Sequence, residues 1–286
     1  PEKLDYRAEI IVNASFANKD LKNSNFQYAL IDNVDFSNAN LEGADFRYAT
    51  IMNSKFIDAD LEKSIFASSK IQFTDFSGAN LENSYITVSK LNKINFSNTN
   101  LMNSKIMGVQ ILESNFLNSK LNNSFLHQSI LVDSDIFDAD FLNITLSHTG
   151  IANCDASGKD LSGINIQNKN LFVNCNMDKT ILPLKLNDAD FTSKYNSASG
   201  MKKGTSLSEV NFSNVDISKV LFSTTGTKIS ENYLENKMFA DYGVNLSFAN
   251  LSNKNLSNKS LSHTNLSYAD FSNTDLSFTS LQFANL

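Results

Sequence analysis

With 286 residues, 41% apolar and 10% aromatic, the chain is long enough to bury a core. Its formal net charge of -6 excludes a broadly basic nucleic-acid-binding surface and leaves the charge of any partner open. No apolar run approaches about eighteen residues and no basic-then-apolar stretch opens the chain, so neither a membrane span nor a signal peptide is expected.

In chain order, residues 1–12 lack the periodicity that follows. Tyr6 to Val12 mixes apolar and charged residues, which predicts an N-terminal cap lying across an open first coil and covering its unpaired backbone groups. Beginning at Pro1 and not at Met, the chain reads as a fragment or a processed product. Residues 13–191 form the main repeat. From Phe16 to Phe191 a bulky apolar residue returns at every fifth position, with lapses at Ala156 and Asn176. A period of five is neither the strand's 2.0 nor the helix's 3.6.

A longer period lies on top of it. Phe16, Phe36, Phe56, Phe76, Phe96 and Phe116 form one series, and Leu21, Leu41, Leu61, Leu81, Leu101 and Leu121 the next. A third opens Phe26, Phe46, Phe66 and turns to Ile86 and Ile106; a fourth opens Ile31, Ile51, Ile71. A chain that turns through four sides in twenty residues stacks like on like, giving four interior columns with small residues filling the corners. Coils spaced about 4.8 Å apart, roughly twelve of them, predict one elongated domain on the order of 55 Å long. Packing is expected to loosen after about Phe141, around the two lapses. Cys154 and Cys175 read as small core fillers, and two lone cysteines without ligand spacing argue for a reducing compartment or for none in particular.

Residues 192–206 have the composition of an exposed loop, and the step from Phe191 to Leu207 shifts the register by one. Leu207, Phe212, Ile217 and Phe222 predict a further coil over 207–222. Within 223–245, Ser230, Leu234, Met238 and Gly243 predict a loop and a short helix near 230–242. The repeat resumes over 246–286, from Leu246 to Leu286. Stopping on a core residue predicts either a continuation or a partner subunit such as a homodimer mate. Tyr268, Phe278 and Phe283 stand at outward positions there and are the candidate interface.

Repeats such as Ala39-Asn40-Leu41, Ala44-Asp45-Phe46 and Ala59-Asp60-Leu61 follow the pattern Ala-(Asp/Asn)-(Leu/Phe)-x-x. This pattern resembles the pentapeptide-repeat family over most of the chain. The resemblance implies an all-β fold, a right-handed four-sided parallel β-helix, to which the residue reading adds one short inserted helix. It also implies two kinds of role: some members are bacterial effectors or modules attached to ubiquitin-ligase domains, and others mimic DNA at a topoisomerase.

A packed solenoid offers no pocket of convergent groups, so no catalytic residue, metal or cofactor is expected. His127 and His148 come near each other on consecutive coils without a third ligand, and His263 stands alone. Glu42, Glu62 and Glu82 stack as an acidic stripe, with Lys22 opening the series and Arg47, Lys55, Lys63, Lys70 and Lys90 on the same coils. Sequons such as Asn250-Leu251-Ser252 are by-products of the repeat. The reading is a non-catalytic protein-interaction scaffold, a module of a larger bacterial effector, placed in the bacterial cytoplasm or delivered into a host cell. It takes a protein partner and no nucleic acid directly. Its alternatives are a gyrase-binding DNA mimic, carried by the glutamate stripe, and a rigid spacer.

Overall fold

The computed structural model describes residues 4–187, 189–191, 205–212, 214–217, 220 and 244–286. The chain divides into two compact units, Pro1–Gly150 with Gly163–Asn165, and Ile151–Ser162 with Ile166–Leu286. Each is built of four-sided coils of a right-handed parallel β-solenoid, so the predicted fold class is borne out.

The period of five follows from the backbone. A core residue's carbonyl accepts the N–H of the residue three places on, as Phe36 does from Ala39 at 3.0 Å and Leu41 from Ala44 at 2.9 Å. The residue two places after the core residue is left-handed, as at Asn18 (φ 60°), Asn33 (φ 53°) and Asn38 (φ 57°). Asn suits this conformation because its short polar side chain bonds locally. The chain therefore bends once in five residues, and four bends close a coil.

Coils are joined by main-chain bonds to both neighbours: Phe36 N–H donates to Lys55 O at 2.7 Å and Asp35 N–H to Ala14 O at 3.0 Å. In the first unit two sides become short parallel sheets. One holds β1 (Ile10–Val12), β2 (Leu30–Asp32), β3 (Thr50–Met52), β5 (Lys70–Gln72), β7 (Lys90–Asn92), β9 (Gln110–Leu112) and β11 (Ile130–Val132). The other holds β4 (Ile65–Ala67), β6 (Tyr85–Thr87), β8 (Lys105–Met107), β10 (Phe125–His127) and β12 (Thr145–Ser147). The register sets Ile31 opposite Ile51 and Ile86 opposite Ile106, so like stacks on like, and the third column changes from Phe to Ile where Phe66 faces Ile86.

Inside, Phe36 stacks on Phe56 at 4.7 Å and Phe26 on Phe46 at 4.9 Å, while Phe36 meets Phe46 edge-on. Such aromatic pairs add about 0.5–1.5 kcal/mol each beyond their buried area. Ala29, Ala39, Ala49 and Ala59, two places before core residues, are buried and fill the corners of the coil. Where Ser takes that place it can serve the backbone: Ser54 Oγ accepts from Val34 N–H at 3.1 Å and donates to Met52 O at 2.7 Å.

Three expectations are corrected, and one element is new. The residues from Asp5 to Val12 do not lie across an open coil; they continue it. Asp5 bridges Asn25, Tyr6 stacks on Phe26 at 4.9 Å, and β1 pairs with β2. An unforeseen 3-10 turn at Ile136–Asp138 replaces one bend and buries Phe137.

The remaining two corrections lie in the second unit. Counting by fives places Leu171, Asn176 and Ile181 in the core, yet Phe172, Met177 and Leu182 are the buried residues and Ile181 is exposed. One extra residue enters between Ile166 and Phe172, where Asn170 is buried and its amide donates to the carbonyls of Gln167 and Asn168. The register returns between Leu182 and Leu186, four positions apart, at buried Pro183. Asn176 is therefore no gap in a column: Met177 fills it.

The slip also decides the cysteines. Cys154 and Cys175 each stand two places before a core residue, Ala156 and Met177, on successive coils. Their Cα atoms are 4.5 Å apart and their sulfurs are bonded. They are a buried disulfide, and the expectation of two unpaired fillers is corrected. Further on, Ser206 bridges both Asn176 and Asn245, so the coil opened by Leu207 stacks between its neighbours. The predicted helix near 230–242, Phe222 and most of the 192–206 loop lie outside the described residues.

Candidate interaction surfaces

Three kinds of outward position follow from the coil. The residue before a core residue is most often Asp or Asn, and its side chain turns back on the backbone. Ser37 N–H donates to Asp35 Oδ1 at 2.9 Å, and Ser157 N–H to Asp155 Oδ1 at 2.9 Å. Hydrogen bonds from the following serine hold the carboxyls of Asp35, Asp155, Asp160, Asp270 and Asp275 below the usual range. Between coils these side chains form ladders, as Asn80 Nδ2 to Asp60 Oδ1 and Asn100 Nδ2 to Asn80 Oδ1, both 3.0 Å. These groups are engaged in the wall itself.

The residue after the core residue carries the glutamate series. The structure stacks it as expected but does not leave it as a bare stripe. Lys22 Nζ pairs with Glu42, and Lys63 Nζ reaches Glu62 at 2.7 Å and Glu42 at 3.8 Å. The bond from Lys22 holds the Glu42 carboxyl below the usual range. Glu82 accepts from the amides of Asn100 and Asn103, both at 3.2 Å. Two of the three glutamates therefore face lysines, and the third is tied into the Asn ladder.

The left-handed bend position points its side chain outward, and it is here that the aromatics of the C-terminal coils stand. Tyr268, Phe278 and Phe283 have φ of 59°, 56° and 58° and are 80%, 89% and 72% exposed. They are not one cluster. They occupy three different corners: Tyr268 stacks on Phe248 at 4.9 Å, Phe283 on His263 at 5.0 Å, and Phe278 stands above Asn258, whose N–H donates to Ser277 O. His263 thus has a ring neighbour. Tyr268 also lines, with Leu276 and Leu281, an apolar recess of about 270 Å³.

Sequence reading missed Phe248 and, in the first unit, the exposed pair Tyr28 and Tyr48, stacked at 4.7 Å on left-handed bends. The available signal was an aromatic residue two places after a core residue, where Asn is usual. His127 and His148 do meet, edge-on at 5.5 Å, with His127 Nδ1 3.0 Å from Ser147 Oγ. Among the described residues no group of three or more His, Cys, Asp or Glu is arranged to hold a metal ion, and no helix is long and apolar enough to cross a membrane.

Residues 20–56, 44–83, 242–277 and 260–286 match the family model described as pentapeptide repeats, in 8 copies. Similar solved structures include HetL, a pentapeptide repeat protein involved in heterocyst differentiation regulation from the cyanobacterium Nostoc sp. strain PCC 7120. It is 17% identical over 99% of this chain and 87% of its own, with a TM-score of 0.36. Trypsin-treated QnrB1, a plasmid-mediated fluoroquinolone resistance protein, is 15% identical over 74% of this chain and 90% of its own, with a TM-score of 0.41. Rfr23, a pentapeptide repeat protein from the cyanobacterium Cyanothece 51142, is 20% identical over 37% and 82%, with a TM-score of 0.21. No curated protein matches the chain.

Proposed function

We propose that this chain, a pentapeptide-repeat protein, is a non-catalytic scaffold that binds a protein partner through side chains held outward at its left-handed bends. The observation that carries this reading is the placement of Tyr268, Phe278 and Phe283. A left-handed backbone costs a bulky L-residue on the order of 1 kcal/mol, and these rings recover little of it by burial. Asn would serve the bend better and is the residue that bends use more than any other. Aromatic rings exposed at such positions are the residue types that anchor protein interfaces. Because they stand on three corners, the partner engages Tyr268 with Phe248, Phe283 with His263, or wraps the coil to reach both.

The mimic alternative asks for a row of unneutralised carboxylates. Lys22 and Lys63 close Glu42 and Glu62, which favours the scaffold. The test replaces Tyr268, Phe278 and Phe283 by Asn and compares capture of partners from an extract of the source cells, with light scattering for self-association. We expect the variant to lose a specific partner or a self-associated species that the parent shows. Identical capture and mass for both proteins would remove these residues from the reading. In parallel, reversing Glu42, Glu62 and Glu82 to Lys is expected to leave gyrase supercoiling unaffected by either protein; inhibition lost on reversal would favour the mimic.

A further inference from the structure

We propose that the bend joining β4 to β5, β6 to β7 and β8 to β9 in the first unit is a docking site for an acidic protein segment bearing apolar side chains. The proposal rests on the scaffold reading and gives it a partner chemistry and a second place on the molecule.

These strands read Ile65–Ala67, Lys70–Gln72, Tyr85–Thr87, Lys90–Asn92, Lys105–Met107 and Gln110–Leu112, and they contain no Asp or Glu. On a chain with 30 acidic and 24 basic residues this is a local inversion of charge. Lys70, Lys90 and Lys105 are all exposed. Parallel register sets Lys70 directly opposite Lys90, a like-charge pairing that works against the ladder. Three other lysines of the unit meet carboxylates: Lys22 and Lys63 close the glutamate series, and Lys93 pairs with Glu113 at 3.5 Å. None of the ion pairs among the described residues involves Lys70, Lys90 or Lys105.

Between the lysines stand two exposed apolar side chains, Val88 and Tyr85, among uncharged polar ones such as Ser68, Thr87 and Gln110. Val88, at the bend itself, is 70% exposed with φ of 51°, a conformation that a β-branched residue adopts only against its own sterics. Beside it the exposed Tyr85 ring lies 5.0 Å from Lys105 Nζ. Met107 continues the apolar line one coil on, half-buried. An occupant must therefore supply negative charge at the lysines and apolar surface at Val88 and Tyr85. A phosphate backbone supplies only the first. A protein segment that alternates carboxylates with apolar side chains supplies both, and its attraction is longer-ranged than the apolar contact that fixes it.

The experiment uses the full chain and a fluorescein-labelled peptide of about a dozen residues alternating Glu with Leu and Phe, read by anisotropy at low and moderate salt. Three further probes are the same peptide with Lys for Glu, the same with Ser for its apolar residues, and single-stranded oligothymidylate of similar length. We expect the acidic apolar peptide to bind, more weakly as salt rises. Affinity should fall at least tenfold on Lys70→Glu with Lys90→Glu and Lys105→Glu, and at least threefold on Val88→Asn. Equal binding of the Ser peptide or the oligothymidylate would make the bend a general polyanion site and overturn the proposal. So would no binding of the acidic apolar peptide, or binding indifferent to these substitutions. Lys90→Glu alone is expected to hold or raise the thermal midpoint while weakening the peptide; a lowered midpoint would make Lys90 a structural residue and contradict the proposal. Capture by the Tyr268, Phe278 and Phe283 corners is read separately, so failure here leaves the scaffold reading to its own test.

Discussion

At the scale of the residue, the left-handed bend decides which side chains are well placed and which are held at a cost. Gly78 has φ of 70°, and a Cβ there would collide with the Asp58 carboxylate folded over it from the preceding coil. Gly78→Ala is expected to lower stability by about 1 kcal/mol, measured by urea unfolding. The opposite sign is expected inside. The hydroxyls of Ser24, Ser64, Ser84, Ser104 and Ser124 are buried in one column with no hydrogen-bond partner, and Ala44 already holds the same place. Ser64→Ala and Ser84→Ala should each hold or raise stability, by up to about 1 kcal/mol, because a buried hydroxyl without a partner is disfavoured. A loss in either would mean that the hydroxyl finds a partner in solution. Most of this level was legible: Asn and Gly after the core residue, and Ala and Ser before it, are the residues the bend and the corner require. The aromatics at bends were visible as outward residues, but their separation onto three corners was not, because a run of consecutive repeats is consecutive in sequence and spread around the coil in space.

At the scale of the element, the coil is legible wherever one apolar residue stands alone in five. Phe36, Leu41 and Phe46 have no apolar neighbour competing for the core. It fails at Leu171-Phe172 and Ile181-Leu182, where two apolar residues are adjacent and counting favours the first while packing takes the second. The cysteines fail for the same reason. Their separation of 21 is out of step with a twenty-residue coil, and only the added residue after Ile166 brings them to the same corner. A cross-link closing a loop of this length restricts the unfolded chain by about 3 kcal/mol in the chain-entropy account. Cys154→Ser with Cys175→Ser, or reduction under denaturing conditions before refolding, is expected to lower the unfolding free energy of the second unit by about 2–4 kcal/mol. Free thiols found in the denatured, unreduced protein would contradict the bond.

At the scale of the whole molecule, charge is distributed so that acid, not salt, is the effective perturbant. The carboxyls of Asp35, Asp155, Asp160, Asp270 and Asp275 are held below their ordinary value of 3.8 by bonds from serines two places on. A carboxyl depressed in the folded state contributes stability above its unfolded value, and that contribution is lost as pH falls through the folded one. Both units carry such groups, so stability should be level from neutral pH to about 5 and fall below about 4. The surface ion pairs at Lys22, Lys63 and Lys93 are exposed and contribute little, so added salt should move the unfolding midpoint only slightly. Burial pushes the Lys254 and Lys259 ammonium groups down, despite Asp216. Their penalty is fully present at neutral pH and is relieved as pH rises toward 10.5, which should raise stability on the alkaline side.

The central claim is that bulky residues at exposed left-handed bends are kept for contact and not for folding. Phe278 tests it most directly, because it is 89% exposed and stands at φ of 56°. The measurement is the urea unfolding free energy of Phe278→Asn against the parent. An increase of about 0.5–1 kcal/mol is predicted, as Asn relieves the bend and little buried area is lost. A decrease of similar size would mean that the ring serves the fold, and would contradict the claim.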